Sequence, residues 1–436
     1  MIQLKPLPGT NFICPECGSK NSVLTKVIVE SIHILGDCTC SVCGLNFYQV
    51  LPIGHTVDDV LSIGKTNGRL YQPESHPSWL SDSVMKAHLG MRKDPVGIRK
   101  ITYKKCENVV ILNTLDFLYG HTLLKLYNAL YHLDHQKDLG LIIIIPKMFE
   151  WLIPEGCAEA WVVDLKLSDL AYGYESIQKF VSQEFERFQK IYLSKAYSHP
   201  DFTNVDVTRL TKVKPFDLAT FSQQKPTITF VLREDRLWFG SLADYWLYRA
   251  CRKLKTLSWG RRILSKRQNQ LIKGTILEIR KKLPEANVYV VGLGSTGNFK
   301  GFAIDQRKIE VDPAVETLWC KIYSQSHVVV GVHGSNMLLP TALAAGCVEI
   351  LPEDRYGNII QDIAVRYADR LQLFFYRFVD QYAGPKSVAS KVTAMIQDYD
   401  LYHKNMCRNL YQETLRSEPP KEPAMTILRH RDDAHH

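Results

Sequence analysis

Long apolar runs are what this sequence most clearly lacks. No window approaches the roughly 18 uninterrupted apolar residues of a membrane-spanning helix, and the apolar stretch 141–153 is broken by Pro146 and Lys147. The first 17 residues also lack the cationic end and the apolar segment that mark a secretory signal. We therefore expect a cytoplasmic protein.

Several familiar catalytic signatures are absent as well. The sequence contains no H-E-x-x-H pair of metal-binding histidines, no G-x-S-x-G nucleophile turn and no P-loop. A zinc protease, a serine hydrolase and a P-loop nucleotidase therefore receive no support. With 436 residues, 45% of them apolar and 23% charged, the composition is that of an ordinary globular protein with two or three domains.

Acidic residues are scarce between Arg249 and Lys282. This segment has twelve Lys or Arg residues and a single acid, Glu278, so it carries +11, and the total of +9 leaves −2 for the rest of the chain. Such a segment could bind anionic lipid, nucleic acid or a polyanionic glycan, or it could equally be a solvated helix face. Its only aromatic residue, Trp259, is too little to stack nucleic-acid bases.

Cysteine, in contrast, is concentrated at the N-terminus. Of eleven cysteines, six are scattered singly, which is typical of buried thiols in a reducing compartment. Cys14-x-x-Cys17-Gly and Cys40-x-x-Cys43-Gly are separated by 22 residues, and the glycines let the backbone turn around the thiolates. This spacing suits tetrahedral Zn²⁺ and predicts a structural zinc ribbon, with Cys38 as an alternative ligand to Cys40.

The remainder of the chain alternates strand and helix patterns in two series. Strands are predicted at 108–113, 139–146, 160–165, 227–235, 287–294, 327–332, 347–352 and 374–380. Helices are predicted at 121–133, 174–193, about 243–283, 315–325 and 387–406, followed by a polar, frayed tail after Ser417. The alternation implies parallel, doubly wound sheets.

The most informative stretch follows the apolar run 327–332. It reads His333-Gly334-Ser335-Asn336 and leads into a segment of small residues. A strand, a sharp polar turn and such a segment are how α/β proteins present backbone N–H groups to a phosphate. Glu349, in the next apolar run, is placed to accept hydrogen bonds from a ribose. The layout predicts a nucleotide pocket, and a sugar nucleotide is the favoured ligand.

Residues 327–352 resemble the C-terminal signature of family 61 glycosyltransferases. In that family an apolar strand leads to His-Gly-Ala-Gly, a helix, Pro-Gly and Val-Glu-Ile. His333, Gly334 and Glu349 match this pattern, while Ser335 and Asn336 take the places of Ala and the second Gly. The resemblance implies that these five residues bind the donor, with His333 also placed at the reaction.

Two further segments resemble the family. Arg233 and Arg236 follow a predicted strand where the family has paired arginines, which implies contact with the donor diphosphate, because a guanidinium neutralises the charge of the leaving nucleotide. Alternatively, the two arginines form ion pairs with the acids between them. His121 falls on a family histidine, and Lys125 replaces the acid four residues later.

An inverting transferase needs a base that removes the proton of the acceptor hydroxyl. The resemblance leaves three possibilities open: His121 is the base, Asp116 from the preceding turn is the base, or the chain has lost activity. A structural role for His121 at the start of a helix is an equal alternative.

The sequence thus predicts an α/β fold with two Rossmann-like domains, the GT-B architecture, plus a small N-terminal β-rich zinc ribbon. The predicted segments are a zinc ribbon at 1–50, a connector at 51–104, an acceptor domain at 105–225, a nucleotide-sugar domain at 226–380, and C-terminal helices and tail at 381–436. The implied activity is inverting, metal-independent transfer of a hexose or pentose from a UDP-sugar to a glycan or another hydroxyl acceptor, as in polysaccharide biosynthesis. Residues 249–282 would contact the inner face of an anionic membrane.

Parts of the sequence also suggest three other functions. Gly292-x-Gly-x-x-Gly297 is the motif of a dinucleotide oxidoreductase, but the residues after it lack the periodicity of the helix that must hold the pyrophosphate, so we interpret it as a flexible, donor-facing loop. The zinc ribbon and the basic segment together are compatible with a nucleic-acid-binding protein, although that function gives the His333 turn no purpose. A noncatalytic scaffold derived from a glycosyltransferase is the third.

Overall fold

The computed structural model describes residues 1–7, 12–201, 203, 205–367 and 369–406. The tail predicted to fray after Ser417 lies outside the described residues, as does Cys407. In the part of the chain that is described, no helix combines the length and apolar character that crossing a bilayer requires.

Strands and helices alternate over most of the described chain. The strands are β1 (Ile2–Lys5), β2 (Ser22–Val29), β3 (Ile34–Cys40), β4 (Asn46–Val50), β5 (Ser62–Gly64), β6 (Leu70–Tyr71), β7 (Ile98–Thr102), β8 (Asn108–Asn113), β9 (Gly140–Pro146), β10 (Glu159–Val163), β11 (Lys190–Leu193), β12 (Thr227–Arg233), β13 (Asn287–Leu293), β14 (Ile304–Asp305), β15 (Val328–Val332), β16 (Gly346–Leu351) and β17 (Tyr376–Asp380). The helices are α1 (Ser78–Leu89), α2 (Tyr119–His135), α3 (Glu175–Phe185), α4 (Thr208–Thr211), α5 (Leu242–Lys253), α6 (Leu257–Lys282), α7 (Pro313–Tyr323), α8 (Leu338–Leu343), α9 (Asp369–Phe375), α10 (Pro385–Gln397) and α11 (Tyr399–Met406).

The first α/β sheet has the strand order β1-β11-β8-β9-β10-β7. Its four central strands are parallel, and β1 and β7 add antiparallel edges. Alternate residues of β8 enter two different cores: Val110 and Leu112 face one, Val109 and Ile111 the other. Both faces of this sheet are therefore buried, as the continuous apolar runs predict.

The second α/β sheet has the order β14-β13-β12-β15-β16-β17, and all of its strands are parallel. Counted from its own first strand, this is the order 3-2-1-4-5-6 of the Rossmann fold. The order reverses between β12 and β15, which are hydrogen-bonded neighbours from Ile228 to Val231. Ligands of such sheets bind beyond the carboxyl ends of the strands on either side of this switch point.

The third sheet is antiparallel, with the order β2-β3-β4-β5-β6. It therefore extends beyond residue 50, the predicted end of the ribbon, into the predicted connector. It also packs on the first α/β sheet, because Val29, Ile34 and Leu51 share a core with Ile111 and Ile142. Conversely, β1 belongs to the first α/β sheet and pairs with β11 rather than with the cysteine-bearing strands.

Three helix predictions were wrong in part. The predicted helix 174–193 ends at Phe185, and Lys190–Leu193 forms β11, because Ile191 and Leu193 are fully buried at the edge of the parallel strands. The predicted helix 243–283 is two helices, α5 and α6, interrupted at Lys255, which has φ of +56°. The predicted helix 387–406 is likewise divided into α10 and α11.

Candidate active site

Four cysteines of the N-terminal segment converge. The Cys14 and Cys43 sulfurs are 3.5 Å apart, the Cys17 and Cys40 sulfurs are 3.7 Å apart, and all four lie within 4.8 Å of one another. These distances suit the sulfur positions around one tetrahedral ion. The thiol of Cys38 is outside this set and fully buried, and burial raises its pKa to about 12, whereas N–H donation from Cys43 lowers the pKa of Cys40 to about 6. The structure thus selects Cys40 over Cys38.

Arg233 and His333 both lie at the switch point of the second α/β sheet. Arg233 is the last residue of β12, and His333 follows β15 directly. The parallel register places Val231 beside Gly331, so both side chains emerge at the same edge. The turn singled out in the sequence therefore lies at the edge where sheets of this strand order bind their ligands.

The imidazole of His333 does not face open space. Its exposure is 1%, and that of Glu349 is 0%. Nδ1 of His333 lies 2.6 Å from Oε2 of Glu349, and Nε2 donates to the Asn358 carbonyl at 3.1 Å. Glu349 lies inside β16 rather than beyond its end, and both side chains are held by protein partners. The ligand contacts predicted for both side chains would require them to leave this buried position.

Burial and the neighbouring charges shift the pKa of both members of this pair. Burial raises the pKa of Glu349 to about 7, and the nearby carboxylate in turn raises the pKa of His333 even though burial opposes it. Asp362 adds a second acid, with its Oδ2 at 3.7 Å from Nε2 of His333. The cluster therefore holds the turn after β15 in a fixed position.

Gly334 and Arg236 form one contact. Gly334 has φ of +149°, a conformation that essentially only glycine adopts. A Cβ on Gly334 would lie 2.1 Å from Nη1 of Arg236, and the same Nη1 donates to the His333 carbonyl at 3.0 Å. Arg236 is thus occupied in supporting the backbone of the turn.

Arg233, Ser335 and Asn336, three of the predicted donor-binding residues, line a common cavity. Its volume is about 120 Å³, and its other walls include Gly292, Glu316 and Tyr119. Arg233 forms a forked ion pair with Asp235, with Nε at 2.8 Å from Oδ1, so the predicted alternative of a strand-end ion pair is also realised. A phosphate entering this cavity would compete with Asp235 for the guanidinium.

The glycine-rich loop 292–297 already has an anion on its backbone. The carboxylate of Glu234 accepts hydrogen bonds from the N–H groups of Ser295 at 2.8 Å and Thr296 at 2.6 Å, and from the Thr296 hydroxyl at 3.0 Å. A dinucleotide pyrophosphate would need the same donors. The geometry therefore gives no support to the oxidoreductase alternative. The same hydrogen bonds attach the loop, which was predicted to be flexible, to Glu234.

A second cluster lies at the switch point of the first α/β sheet, between β8 and β11. Asp116 follows β8 and is fully buried. Its Oδ2 is 2.8 Å from the Lys125 ammonium, and its Oδ1 is 3.6 Å from Nδ1 of His121. Burial disfavours the ionised form, but Lys125 and the imidazoles of His121 and His55 outweigh it and hold the pKa of Asp116 well below its usual range.

Histidines from three segments meet here. Nδ1 of His121 lies 2.9 Å from Nε2 of His55, whose Nδ1 contacts the Ser198 hydroxyl at 3.1 Å; Ser198 also contacts His199 at 3.4 Å. Burial lowers the pKa of His55, and it lowers that of His199 to about 4. Among the described residues, Nε2 of His121 has no hydrogen-bond partner. Together with exposed Trp79, the three histidines line an open hollow of about 380 Å³.

The two clusters face each other across a close contact. A Cβ on Gly120 of α2 would lie 2.5 Å from the Cβ of Ser335. On one side of this contact Tyr119 lines the cavity with Arg233, and on the other side His121 lines the histidine hollow. Tyr119 also donates to buried Glu316 of α7 at 3.3 Å.

His55 and His199 are the site residues that sequence reasoning missed. His55 lies in the predicted connector. His199 follows β11, and β11 itself was predicted to be the end of a helix. Neither belongs to a recognisable motif. One feature of the chain could have indicated His199. Residues 196–200 follow β11, and β11 ends at the same edge of the sheet as β8, which Asp116 follows.

No family model and no curated protein matches this sequence. Among solved structures, the chain is similar to a proposed UDP-N-acetylglucosamine 2-epimerase from Listeria monocytogenes, with 9% identity, 68% of each chain covered and a TM-score of 0.29. It is also similar to the GtfA/B complex, with 10% identity over 91% of this chain and 69% of that chain, and a TM-score of 0.22. Similarities of this strength do not decide a function. A functional proposal therefore depends on the strand order and on the two clusters, one around His333 and the other around Asp116 and His121.

Proposed function

We propose that this protein is a glycosyltransferase of GT-B architecture that moves a sugar from a nucleotide-sugar donor to a hydroxyl acceptor. The proposal depends on one observation: the switch points of the two α/β sheets lie opposite each other. A Rossmann-ordered sheet offers Arg233, Ser335 and Asn336 on one side, and a buried acid with a free imidazole nitrogen lies on the other.

The donor diphosphate is assigned to the cavity beside β12. The Arg233 guanidinium is a two-pronged donor that suits phosphate oxygens, and release from Asp235 would expose it. Ser335 and Asn336 line the same cavity. A volume of about 120 Å³ is below the several hundred Å³ of a typical small-molecule site, so a whole donor requires the Gly120–Ser335 contact to open.

His121 is assigned as the base. With its Nδ1 directed at Asp116 and His55, its Nε2 is left to take the proton of the acceptor hydroxyl. The hydroxyl oxygen then bonds to the anomeric carbon from the face opposite the leaving group. The bond from that carbon to the diphosphate oxygen breaks, and its electron pair leaves with the nucleoside diphosphate. This in-line displacement inverts the anomeric configuration.

His333, Glu349 and Arg236 have a positioning role in this proposal. The His333–Glu349 pair and the bond from Arg236 to the His333 carbonyl fix the turn that carries Ser335 and Asn336. Asp116 acts through His121, since its carboxylate is fully buried and held by Lys125.

The experiment separates donor binding from chemistry. UDP-, GDP-, CMP- and dTDP-sugars are screened by thermal shift and by release of the free nucleotide. We expect one donor to stabilise the wild type, and Arg233→Ala to abolish that shift. His121→Ala should keep the shift but lower the turnover by about 10²- to 10⁴-fold, the usual contribution of a general base.

Two variants serve as matched controls. Arg209→Ala removes a surface arginine that pairs with Asp134 at 2.8 Å, and His135→Ala removes an exposed histidine of the same helix as His121. Both should behave as the wild type. Donor binding without turnover in the wild type would favour the noncatalytic scaffold, and a complete lack of stabilisation by every sugar nucleotide would overturn the proposal.

A further inference from the structure

The exposed face of α5 combines apolar and cationic side chains. Leu242, Trp246, Arg249 and Lys253 are spaced by four, three and four residues, so they lie on one side of the helix. Leu242 is 59% exposed, Trp246 60%, and Leu254, directly after the helix, 71%. Large apolar side chains exposed at this level and in this number on a single helix indicate a contact surface.

The cations of this surface are not neutralised within the fold. Among the described residues, Arg249, Arg252, Lys253 and Lys255 form no ion pair with a carboxylate. Arg249 stacks on the ring of Trp246, with its guanidinium carbon 5.3 Å from the ring centroid. The one acid of α5, Asp244, faces away from this surface and pairs with Arg267 of α6.

The structure divides the basic segment of the sequence into two parts. The far end of α6 belongs to the protein interior: Ile276 and Ile279 are fully buried, and α6 packs on α10. There Lys281 pairs with Glu278 at 2.6 Å. On α5 and the residues that follow it, exposed Leu242, Trp246 and Leu254 lie beside cations without a carboxylate partner in the described part of the chain, and we call this set the α5 surface (Leu242, Trp246, Arg249, Arg252–Lys255).

We propose that the α5 surface binds an anionic phospholipid bilayer. Trp and Leu side chains enter the interface between headgroups and acyl chains, while Lys and Arg beside them meet the lipid phosphates. A nucleic acid would use the cations but would gain nothing from exposed Leu242 and Leu254, so the combination favours lipid. Trp246, Arg249, Arg252 and Lys253 also line a hollow that they share with the acids Asp235, Glu353 and Asp354, whereas Leu242 and Leu254 do not line it.

This proposal is independent of the glycosyltransferase assignment, because none of its residues lines the cavity of Arg233 or the histidine hollow. It concerns where the protein acts, whereas the preceding proposal concerns what it does. A failure of either leaves the other untouched.

The test is co-sedimentation of the full chain with phosphatidylcholine vesicles, with and without phosphatidylglycerol. We expect binding only to the anionic vesicles. Arg249→Glu/Arg252→Glu should weaken it by about tenfold or more, since both charges are reversed next to the lipid surface. Trp246→Ala should weaken it at high salt as well, because its contribution is apolar and is not screened.

The matched control is Lys281→Glu/Lys282→Glu, the same change of charge at the other end of α6. The 26-residue helix is about 39 Å long, so these side chains lie far from the α5 surface. They should leave vesicle binding nearly unchanged. Equal losses in the two double variants would show a net-charge effect and overturn the proposal. So would equal binding by the wild type and Arg249→Glu/Arg252→Glu, or binding to an oligonucleotide but not to vesicles.

Discussion

At the scale of single residues, Lys125 shows how a buried cation is balanced within the site. Its ammonium group, which is almost fully buried, lies 2.8 Å from Asp116, nine residues earlier in the chain. The pair supplies a carboxylate beside His121. Since an unpaired buried charge is costly, Asp116 and Lys125 depend on each other.

Glu316 gives a residue-scale prediction about pH. Burial raises the pKa of this carboxyl to about 7, from 4.5 when exposed. Between these values the unfolded chain has lost a proton that the folded protein keeps, so the free energy of unfolding falls as pH rises. The loss for this group is up to about 3 kcal/mol. Glu316→Gln, which keeps an acceptor for Tyr119, should remove that part of the pH dependence.

Urea unfolding at pH 5 and pH 8 measures this difference directly. Glu175→Gln is the control, because Glu175 is exposed in the first turn of α3. It should keep the pH dependence of the wild type. Identical pH dependence in the wild type and Glu316→Gln would contradict the assignment of a protonated, buried Glu316.

At the scale of elements, the cysteine turns precede β2 and connect β3 with β4. Each turn closes with a backbone bond, from Gly18 N–H to the Cys14 carbonyl at 2.9 Å and from Gly44 N–H to the Cys40 carbonyl at 3.0 Å. The two turns repeat one geometry, which is why the spacing in the sequence was sufficient to recognise them. We propose that the ion they hold is zinc.

Metal analysis of the purified chain tests this element. We expect one zinc ion per chain in the wild type and in Cys106→Ser, whose thiol lies outside the cluster. Cys17→Ser should lose the zinc and unfold at a lower temperature, because three thiolates bind the ion less tightly than four and the ion contributes to folding. Retention of zinc in Cys17→Ser, or its absence from wild type prepared with zinc, would refute the assignment.

At the scale of the whole molecule, the Gly120–Ser335 contact is one of those that join the parts of the chain carrying the two α/β sheets. Ala in a helix is normally more stable than Gly by about 1 kcal/mol. At residue 120 the added methyl would lie 2.5 Å from the Ser335 Cβ, so we expect Gly120→Ala to destabilise instead, by about 1–3 kcal/mol. Thermal unfolding and limited proteolysis measure this.

The second variant of this test is Gly120→Ala/Ser335→Gly. Removing the side chain of Ser335 makes room for the new methyl, so we expect most of the lost stability to return. A stabilising Gly120→Ala, or no rescue in the double variant, would mean that the two sheets do not meet at this contact.

Each of the eight strands predicted in the two α/β series overlaps a strand of the structure, and the turns that carry Arg233 and His333 lie at a switch point. These features are encoded locally, since a run of buried residues and the turn that follows it are contiguous in the chain. The sequence did not predict the join of β1 to β11, or that Lys190–Leu193 is a strand. Both depend on pairing with a strand that is distant in sequence. Neither the hydrophobic periodicity nor the composition of a segment reveals such a partner.

The sequence by itself determined the cysteine cluster, the two strand–helix series and the excess of positive charge, because each follows from residues that are close together in the chain. Only the tertiary structure decided that His333 and Glu349 hold each other in the interior, that His55 joins His121 from 66 residues away, and that exposed Leu and Trp side chains lie beside the cations of α5. Burial and charge pairing depend on which distant surfaces pack together, and packing is a property of the complete fold.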